Sequence, residues 1–397
     1  MNHDLEISGY CDERFTDVRR IFAESLVQSA EGGASFSACW QGNLVVNLWG
    51  GTRDRSQTLP WQQDTLVNVF SATKGITALC AHRLIEQGVL DLESPVGQYW
   101  PAFSSKGKRD ISVRMILNHR SGLSAFREEI PAEAIYDWGA MVSALEREEP
   151  WWVPGTKQGY QAFTFGWLIG ELIRRVSGKS VGQYFRDEIA EPLGLDFHIG
   201  LNSDQLGRVA DVARLGSSSK SQKESESQPA RPDLIADKAR PDSIAIKAFM
   251  NPPTLATGTN SSAWRQSEIP SANGHGTAQS LASIYGGLAN GGTINGVRLL
   301  REETIRNCYT ESSSGIDAVL LVPMRFSLGF MLSNPQAKQM KLGQGGITFG
   351  HTGAGGSVGF ADPKVGLGFG YVTNRLGGRA WVDPRAEALV AAVYKSV

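Results

Sequence analysis

The sequence predicts an α/β fold in which one antiparallel sheet, built from both ends of the chain and flanked by helices, carries an inserted, mainly helical region. Three observations predict it. Strand-like runs with turn signals lie near the N-terminus and return near the C-terminus. Helical periodicity fills the middle of the chain. Helical patterns also precede the first strands and follow the last ones, so both ends of the chain supply a helix to cover a sheet face.

The elements follow in order. Residues 12–29 alternate apolar and polar positions with helical period. Residues 34–40 and 44–49 read as strands, joined by Gln41-Gly42-Asn43 as a hairpin and ended by Gly50-Gly51. The apolar run 66–70 leads into a striped helix over 76–90, where Ile76, Leu79, Cys80, Leu84 and Ile85 recur at helical spacing. Helical patterns continue at 113–118, 138–146, 164–176 and 276–288. Strand-like runs return at 326–332, 357–361 and 366–373, and a helix at 384–394 closes the chain. On this pattern residues 1–80 and 276–397 form a discontinuous α/β domain, and residues 81–275 the helical domain. Residues 217–232, rich in Ser, Lys, Glu and Gln without apolar periodicity, read as an exposed flexible loop near 216–232 of that domain.

Composition narrows the function classes. The chain has 397 residues with 39 basic and 40 acidic side chains, which gives no reason to expect a nucleic acid or an anionic membrane as partner. No apolar run is long enough to span a bilayer. The first fifteen residues are polar and lack the apolar stretch of a secretory signal, so the default compartment is the cytosol. The four cysteines show neither metal-type nor disulfide-framework spacing, and the histidines show no metal-binding motif, so no metal or cofactor is implied. An oligomeric state cannot be read from the sequence.

Candidate chemistry begins with Ser-x-x-Lys, which occurs three times: Ser71/Lys74, Ser105/Lys108 and Ser217/Lys220. Ser105 sits in a polar loop and Ser217 in the low-complexity segment. Only Ser71 follows an apolar strand-like run and opens an apolar-striped helix. Residues three apart share a helix face, so the Lys74 amine can reach the Ser71 hydroxyl. The helix N-terminus adds unpaired N–H groups that favour developing negative charge. A lysine shielded from water can lose its proton and serve as base. Against this stands an ordinary N-cap serine beside a solvated lysine.

Two further elements join it. Tyr160 is delivered by the Pro154-Gly155 turn just before a helical pattern, where a phenol near a lysine can relay a proton. An isolated tyrosine would more ordinarily be a packed aromatic. His351-Thr352-Gly353 is followed by Ala354-Gly355-Gly356, and the glycines let a strand approach a substrate and offer a backbone N–H to an oxyanion. The plainer reading is a Gly-rich hairpin entry. Trp151, Trp152 and Phe163 flank Tyr160 as pocket or core aromatics. A Gly-x-Ser-x-Gly match, residues 355–359, competes for the nucleophile, but no histidine follows residue 351 and the residues after Ser357 read as a strand rather than a helix. His119, at a predicted helix end, reads as a structural cap, and His275 as at most a supporting group.

Together these motifs resemble the serine β-lactamase and penicillin-binding superfamily. Within it the chain is most similar to the β-lactamase-related esterases called family VIII carboxylesterases, themselves similar to class C β-lactamases. The resemblance rests on Phe70-Ser71-Ala72-Thr73-Lys74-Gly75, Leu117-Asn118-His119-Arg120-Ser121-Gly122-Leu123, Pro154-Gly155 with Gly159-Tyr160, Glu191-Pro192-Leu193-Gly194-Leu195 and Gly350-His351-Thr352-Gly353. It implies a β-lactamase-like fold, with the site between an α/β domain and a helical domain. It implies Ser71 as nucleophile, Lys74 as its base partner, Tyr160 as the tyrosine of the second motif, and the N–H groups of Ser71 and Ala354 as oxyanion hole. The expected activity is hydrolysis of small esters through an acyl-enzyme, without cofactor. Alternatives are β-lactamase, acyltransferase or D-amino-acid peptidase chemistry at the same site, or a non-catalytic ligand-binding member. Two positions depart from the class C pattern: Ala162 stands where an asparagine amide is usual, and His351 where a lysine is usual. Both departures weigh against β-lactams more than against esters.

Overall fold

The computed structural model describes residues 6–28, 32–214, 243–253, 258–335, 337, 341–378 and 381–397. The low-complexity segment 217–232 lies outside the described residues.

Among the described residues, nine strands form one sheet in the order Ile7–Cys11, Asn43–Gly51, Gly33–Trp40, Leu367–Thr373, Val358–Asp362, Phe349–Thr352, Met331–Leu332, Pro323–Phe326 and Ser313–Ile316. Every neighbouring pair is antiparallel. The two ends of the chain meet in the middle of this sheet, with Leu367 opposite Trp40 and Thr373 opposite Ala34. The predicted hairpin forms at Gln41 and Gly42, which both take positive φ (50° and 80°), the two-residue turn whose twist matches that of its strands.

The centre of the sheet is covered on both faces, which is why Leu367–Thr373 is buried along its whole length. On one face Gly368 and Gly370 lie against the helix Ala278–Ala289. A Cβ at Gly368 would come within 2.1 Å of Gly286 N, so only glycine admits the helix this closely. Phe369, between them, points to the other face and meets Phe36 and Phe360 at ring separations of 4.9 and 4.7 Å. The terminal helices Thr16–Gln28 and Pro384–Ser396 pack on each other, and the first also lies against the N-terminal strands.

Several elements differ from the sequence expectation, among them two in the large sheet. Residue 276, read as the start of a helix, lies in the strand Gly274–Gly276, with the helix beginning at Ala278. Residues Ile7–Cys11 form an edge strand on Asn43–Gly51, which the polar composition of the N-terminus concealed. The run read as one strand over 326–332 is two short strands, with Phe326 opposite Met331. The turn between them docks on two helices: Leu328 O lies 2.8 Å from His82 Nε2 of Thr73–Glu86, and Gly329 N donates to Leu117 O of Val113–Leu117 at 2.8 Å. Its apolar side chains face the core, and so mimic a strand in composition.

Between the sheet-forming ends the chain is mainly helical. Thr73–Glu86 packs against Thr164–Ser177, with Val113–Leu117 and Trp138–Arg147 on the latter's flanks. A three-stranded sheet orders Val67–Asn68, Gly274–Gly276 and Phe197–Ile199, and anchors the chain just before Ser71. Among the described residues, no helix is long and apolar enough to cross a membrane.

Candidate active site

Ser71 sits at the sharp turn between the strand Val67–Asn68 and the helix Thr73–Glu86. Phe70, immediately before it, adopts φ of 48°, a left-handed conformation that a bulky side chain rarely takes. The surroundings hold it there. Val69 N donates to Gly274 O at 2.8 Å, Thr73 Oγ1 donates to Phe70 O at 2.5 Å, and Gly274 N donates back to Thr73 Oγ1 at 2.8 Å. Strain over-determined by its neighbours is how a nucleophile is presented at a fixed angle.

Lys74, one turn on, is completely buried. Its Nζ lies 3.1 Å from Ser71 Oγ, 2.8 Å from Ala162 O and 2.9 Å from Ser271 O. Burial holds its pKa well below the ordinary lysine value. The three contacts fit a neutral amine. Two carbonyl oxygens can only accept, so they take its two hydrogens, and its lone pair is left facing the Ser71 hydroxyl.

Tyr160 is also buried, and Lys74 Nζ lies 4.8 Å from its ring centroid. Burial raises the phenol's pKa, opposed by a hydrogen bond with the Ser71 side chain and reinforced by the Asp317 carboxylate. The ring is fixed by a cage of neighbours: His119 at 5.2 Å, His351 at 6.0 Å, and Phe249 and Phe326 each at 6.3 Å, centroid to centroid. Trp152 lies against the residue before it, since a Cβ on Gly159 would come 2.3 Å from the Trp152 ring. Phe163 is buried, and its carbonyl accepts a hydrogen bond from Ser271 Oγ at 2.9 Å.

The strand Phe349–Thr352 brings the third motif to the same place. Gly353 is what allows the approach: a Cβ there would stand 2.0 Å from Val69 O. Just beyond it Gly353 N donates to Ser357 O at 2.6 Å, turning the chain at Ala354. Among the described residues, neither the Ser71 N–H nor the Ala354 N–H finds an acceptor. An oxyanion hole requires unpaired donors, and the close approach of Gly353 to Val69 brings the Ala354 turn toward the Ser71 turn. His351 is buried, with Nδ1 2.7 Å from Thr352 O. A carbonyl can only accept, so Nδ1 carries the proton and Nε2 presents a lone pair, for which there is no partner among the described residues. Burial, then the proximity of Lys74, keeps this ring well below the ordinary histidine pKa and therefore neutral.

The other matches separate cleanly. Lys108 donates to Glu146 O at 2.8 Å and Glu148 O at 2.5 Å, and Ser105 Oγ donates to Glu146 O, so this Ser-x-x-Lys is a structural staple. The third copy, Ser217/Lys220, lies outside the described residues. Ser357 is followed by the strand Val358–Asp362, so the strand–turn–helix context of an α/β-hydrolase elbow is missing. His275 is buried in the small sheet opposite Asn68. Among the described residues, no group of three His, Cys, Asp or Glu side chains could hold a metal ion.

His119 does sit at a helix end, with φ of 61° just past Val113–Leu117. It also does more than cap. Its carbonyl accepts from Gly159 N at 2.9 Å, and its ring packs on Tyr160 and stands edge-on to Phe326 at 4.6 Å. Burial, with Lys74 nearby, lowers its pKa to about 3. Phe249, from the helix Ile244–Met250, is a second neighbour that the sequence pattern did not single out, because its helix has no motif attached.

The family model described as Beta-lactamase matches residues 18–392. Over 373 residues the chain is 36% identical to the esterase/beta-lactamase LipL of Mycobacterium tuberculosis, covering 93% of this chain and 83% of that protein. The solved structure of a family VIII carboxylesterase superposes with a TM-score of 0.88 at 37% identity, covering 99% of this chain and all of the other. A penicillin-binding protein homolog from Caulobacter crescentus superposes with a TM-score of 0.89, also at 37% identity and with the same coverage.

Proposed function

The chain belongs to the beta-lactamase family and is a hydrolase of that fold, and from this premise we propose that it is a serine carboxylesterase acting on small esters through an acyl-enzyme on Ser71. The observation that carries the reading is the arrangement around Lys74. Two carbonyls accept from Nζ, burial disfavours its charged form, and Nζ lies 3.1 Å from Ser71 Oγ.

The chemistry follows from the positions. Lys74 Nζ takes the Ser71 proton as Oγ attacks the ester carbonyl. The N–H groups of Ser71 and Ala354 hold the oxyanion. Tyr160, kept protonated by burial, supplies a proton to the leaving alcohol and recovers one through Lys74. Water then attacks the acyl-enzyme by the reverse transfers, and Ser71 is regenerated. In this scheme Lys74 is the resting base and Tyr160 the resting acid, a division that the opposite directions of their pKa shifts support. The relatives named as esterases and as a family VIII carboxylesterase support the substrate class.

β-Lactam hydrolysis at the same Ser71 is the competing reading, and two features disfavour it. Neutral His351 offers a lone pair where a β-lactam carboxylate needs a cation. Ala162 has no side-chain amide to hold an acyl-amide group. Loss of the charge-assisted bond weakens transition-state binding by roughly 1.5–3 kcal/mol, about tenfold to a hundredfold in rate, and loss of the neutral amide bond by roughly 0.5–1.5 kcal/mol. The test is kcat/KM for p-nitrophenyl butyrate against nitrocefin in one preparation. The ester is expected to win by at least about a hundredfold. Equal or higher efficiency on nitrocefin would refute the esterase reading.

A further inference from the structure

We infer that Asp317, in the turn after the edge strand Ser313–Ile316, is the positioning residue for Tyr160: its carboxylate ties the main chain of the tyrosine to the sheet and thereby fixes the phenol over Lys74. The inference rests on the functional reading above and adds a residue to it.

The geometry is that of a built clamp. Asp317 is completely buried. Its Oδ1 accepts three backbone N–H groups: Tyr160 at 3.1 Å, Val319 at 2.9 Å and Leu320 at 2.9 Å. Two of the three come from its own turn, which Asp317 N closes onto Val322 O at 2.9 Å. The third crosses to a segment 157 residues earlier in the chain. The same turn grips that segment again, as Ala318 N donates to Gln158 O at 2.9 Å. Gln158 Nε2 answers by donating to Gly315 O at 3.0 Å and Met324 O at 3.2 Å. Between these grips, Gly159 N donates to His119 O. Gln158, Gly159 and Tyr160 are therefore each held by the main chain, and the phenol inherits a fixed origin.

The other oxygen of Asp317 has a different part. Oδ2 is buried with no hydrogen-bond partner among the described residues. A carboxylate taking three N–H groups on one oxygen favours its charged form, while burial opposes it and raises the pKa. When charged, it opposes ionisation of the Tyr160 phenol, which must keep its proton to serve as acid. The phenol is faced by Ser71, Lys74, His119 and His351 besides Asp317. His119 and His351 are held neutral by burial and the charged form of Lys74 is disfavoured, so Asp317 is the acidic member of this set.

Two variants and two readouts test it. In Asp317→Ala the Tyr160 N–H loses its acceptor, and kcat for p-nitrophenyl butyrate is expected to fall about tenfold or more with KM changed far less, because geometry at the reacting atoms is what is lost. In Asp317→Asn the amide oxygen can keep all three N–H groups but the charge is gone, so most of kcat is retained and the alkaline limb of the kcat profile moves to lower pH. Independently of activity, the 13Cζ resonance of Tyr160, identified by its absence in Tyr160→Phe, is expected to shift or broaden in the alanine variant and to titrate at lower pH in the asparagine variant. A cooperatively folded alanine variant with wild-type kcat and an unmoved Tyr160 resonance would overturn the inference; if that variant does not fold, an asparagine variant that loses kcat about tenfold or more despite keeping the Tyr160 N–H acceptor overturns it. A wild-type protein inactive on esters would sink the functional reading instead, and the resonance would then decide the positioning alone.

Discussion

At the scale of single residues the site is governed by who can accept and who can donate. In the proposed mechanism Lys74 serves as the base of Ser71, because its hydrogens already have carbonyl acceptors in Ala162 and Ser271. His351 cannot stand in for a lysine because its one N–H is taken by Thr352 O. Ser71, Lys74, Tyr160 and the His351–Ala354 stretch were legible in the sequence, because their side-chain chemistry comes in a recognisable order and spacing. Asp317 was not, and His119 was legible only as a helix cap. Their work is done on backbone groups of Gly159 and Tyr160, and an acceptor for a main-chain N–H leaves no partner residue to look for. Ala162 and Ser271 were invisible as Lys74 partners for the same reason, since any residue has a carbonyl oxygen.

At the scale of elements, one strand and one turn set the catalytic distances. The strand Phe349–Thr352 reaches the Ser71 turn only because Gly353 has no side chain. Gly353→Ala places a Cβ 2.0 Å from Val69 O, and backbone must move on one side or the other. The Ala354 N–H then withdraws from the oxyanion. The expected result is a loss of about a hundredfold in kcat/KM on a butyrate ester, comparable with removal of one oxyanion donor, and about 1–3 kcal/mol of stability from overpacking. Steady-state kinetics together with urea denaturation would show both; wild-type kinetics in a folded variant would mean that Ala354 does not hold the oxyanion. Long periodic helices such as Thr164–Ser177 and the two-residue hairpin at Gln41-Gly42 were readable from sequence. The edge strand Ile7–Cys11 and the division of 326–332 were not, because short edge strands lack alternation and a core-facing turn has the composition of a strand.

At the scale of the whole molecule, the fold buries bases without charging them. Burial, the largest cause in each case, lowers His82 to about 4, and His119 and His275 to about 3, and takes His351 well below its ordinary value. These folded values lie below the unfolded value near 6.5, so the unfolded chain binds more protons below that pH. The stabilisation is fully present above about pH 6.5 and is lost as pH falls toward the folded values, by about 1.4 kcal/mol per pH unit for each histidine that stays neutral. Glu268 and Asp317, raised by burial, oppose this as they protonate, but they are fewer. Urea midpoints are therefore expected to fall steeply between pH 6.5 and 4.5 at constant m-value. A flat profile across that window would mean that these rings are hydrated in solution. The joining of both chain ends in one sheet, which was legible from the strand-like runs at either end, is what makes the loss cooperative: Thr373 pairs with Ala34, and neither half of the sheet closes alone.

The central claim is that Ser71 carries the acyl group, and mass spectrometry of the trapped enzyme tests it most directly. Incubation with a slowly deacylating p-nitrophenyl ester, quenching in acid and peptide mapping should place a single acyl adduct on the Phe70-Ser71-Ala72-Thr73-Lys74 peptide, and the adduct should vanish in Ser71→Ala. An adduct on Ser357 or Ser105, or undiminished acylation of the Ser71→Ala protein, would contradict the account.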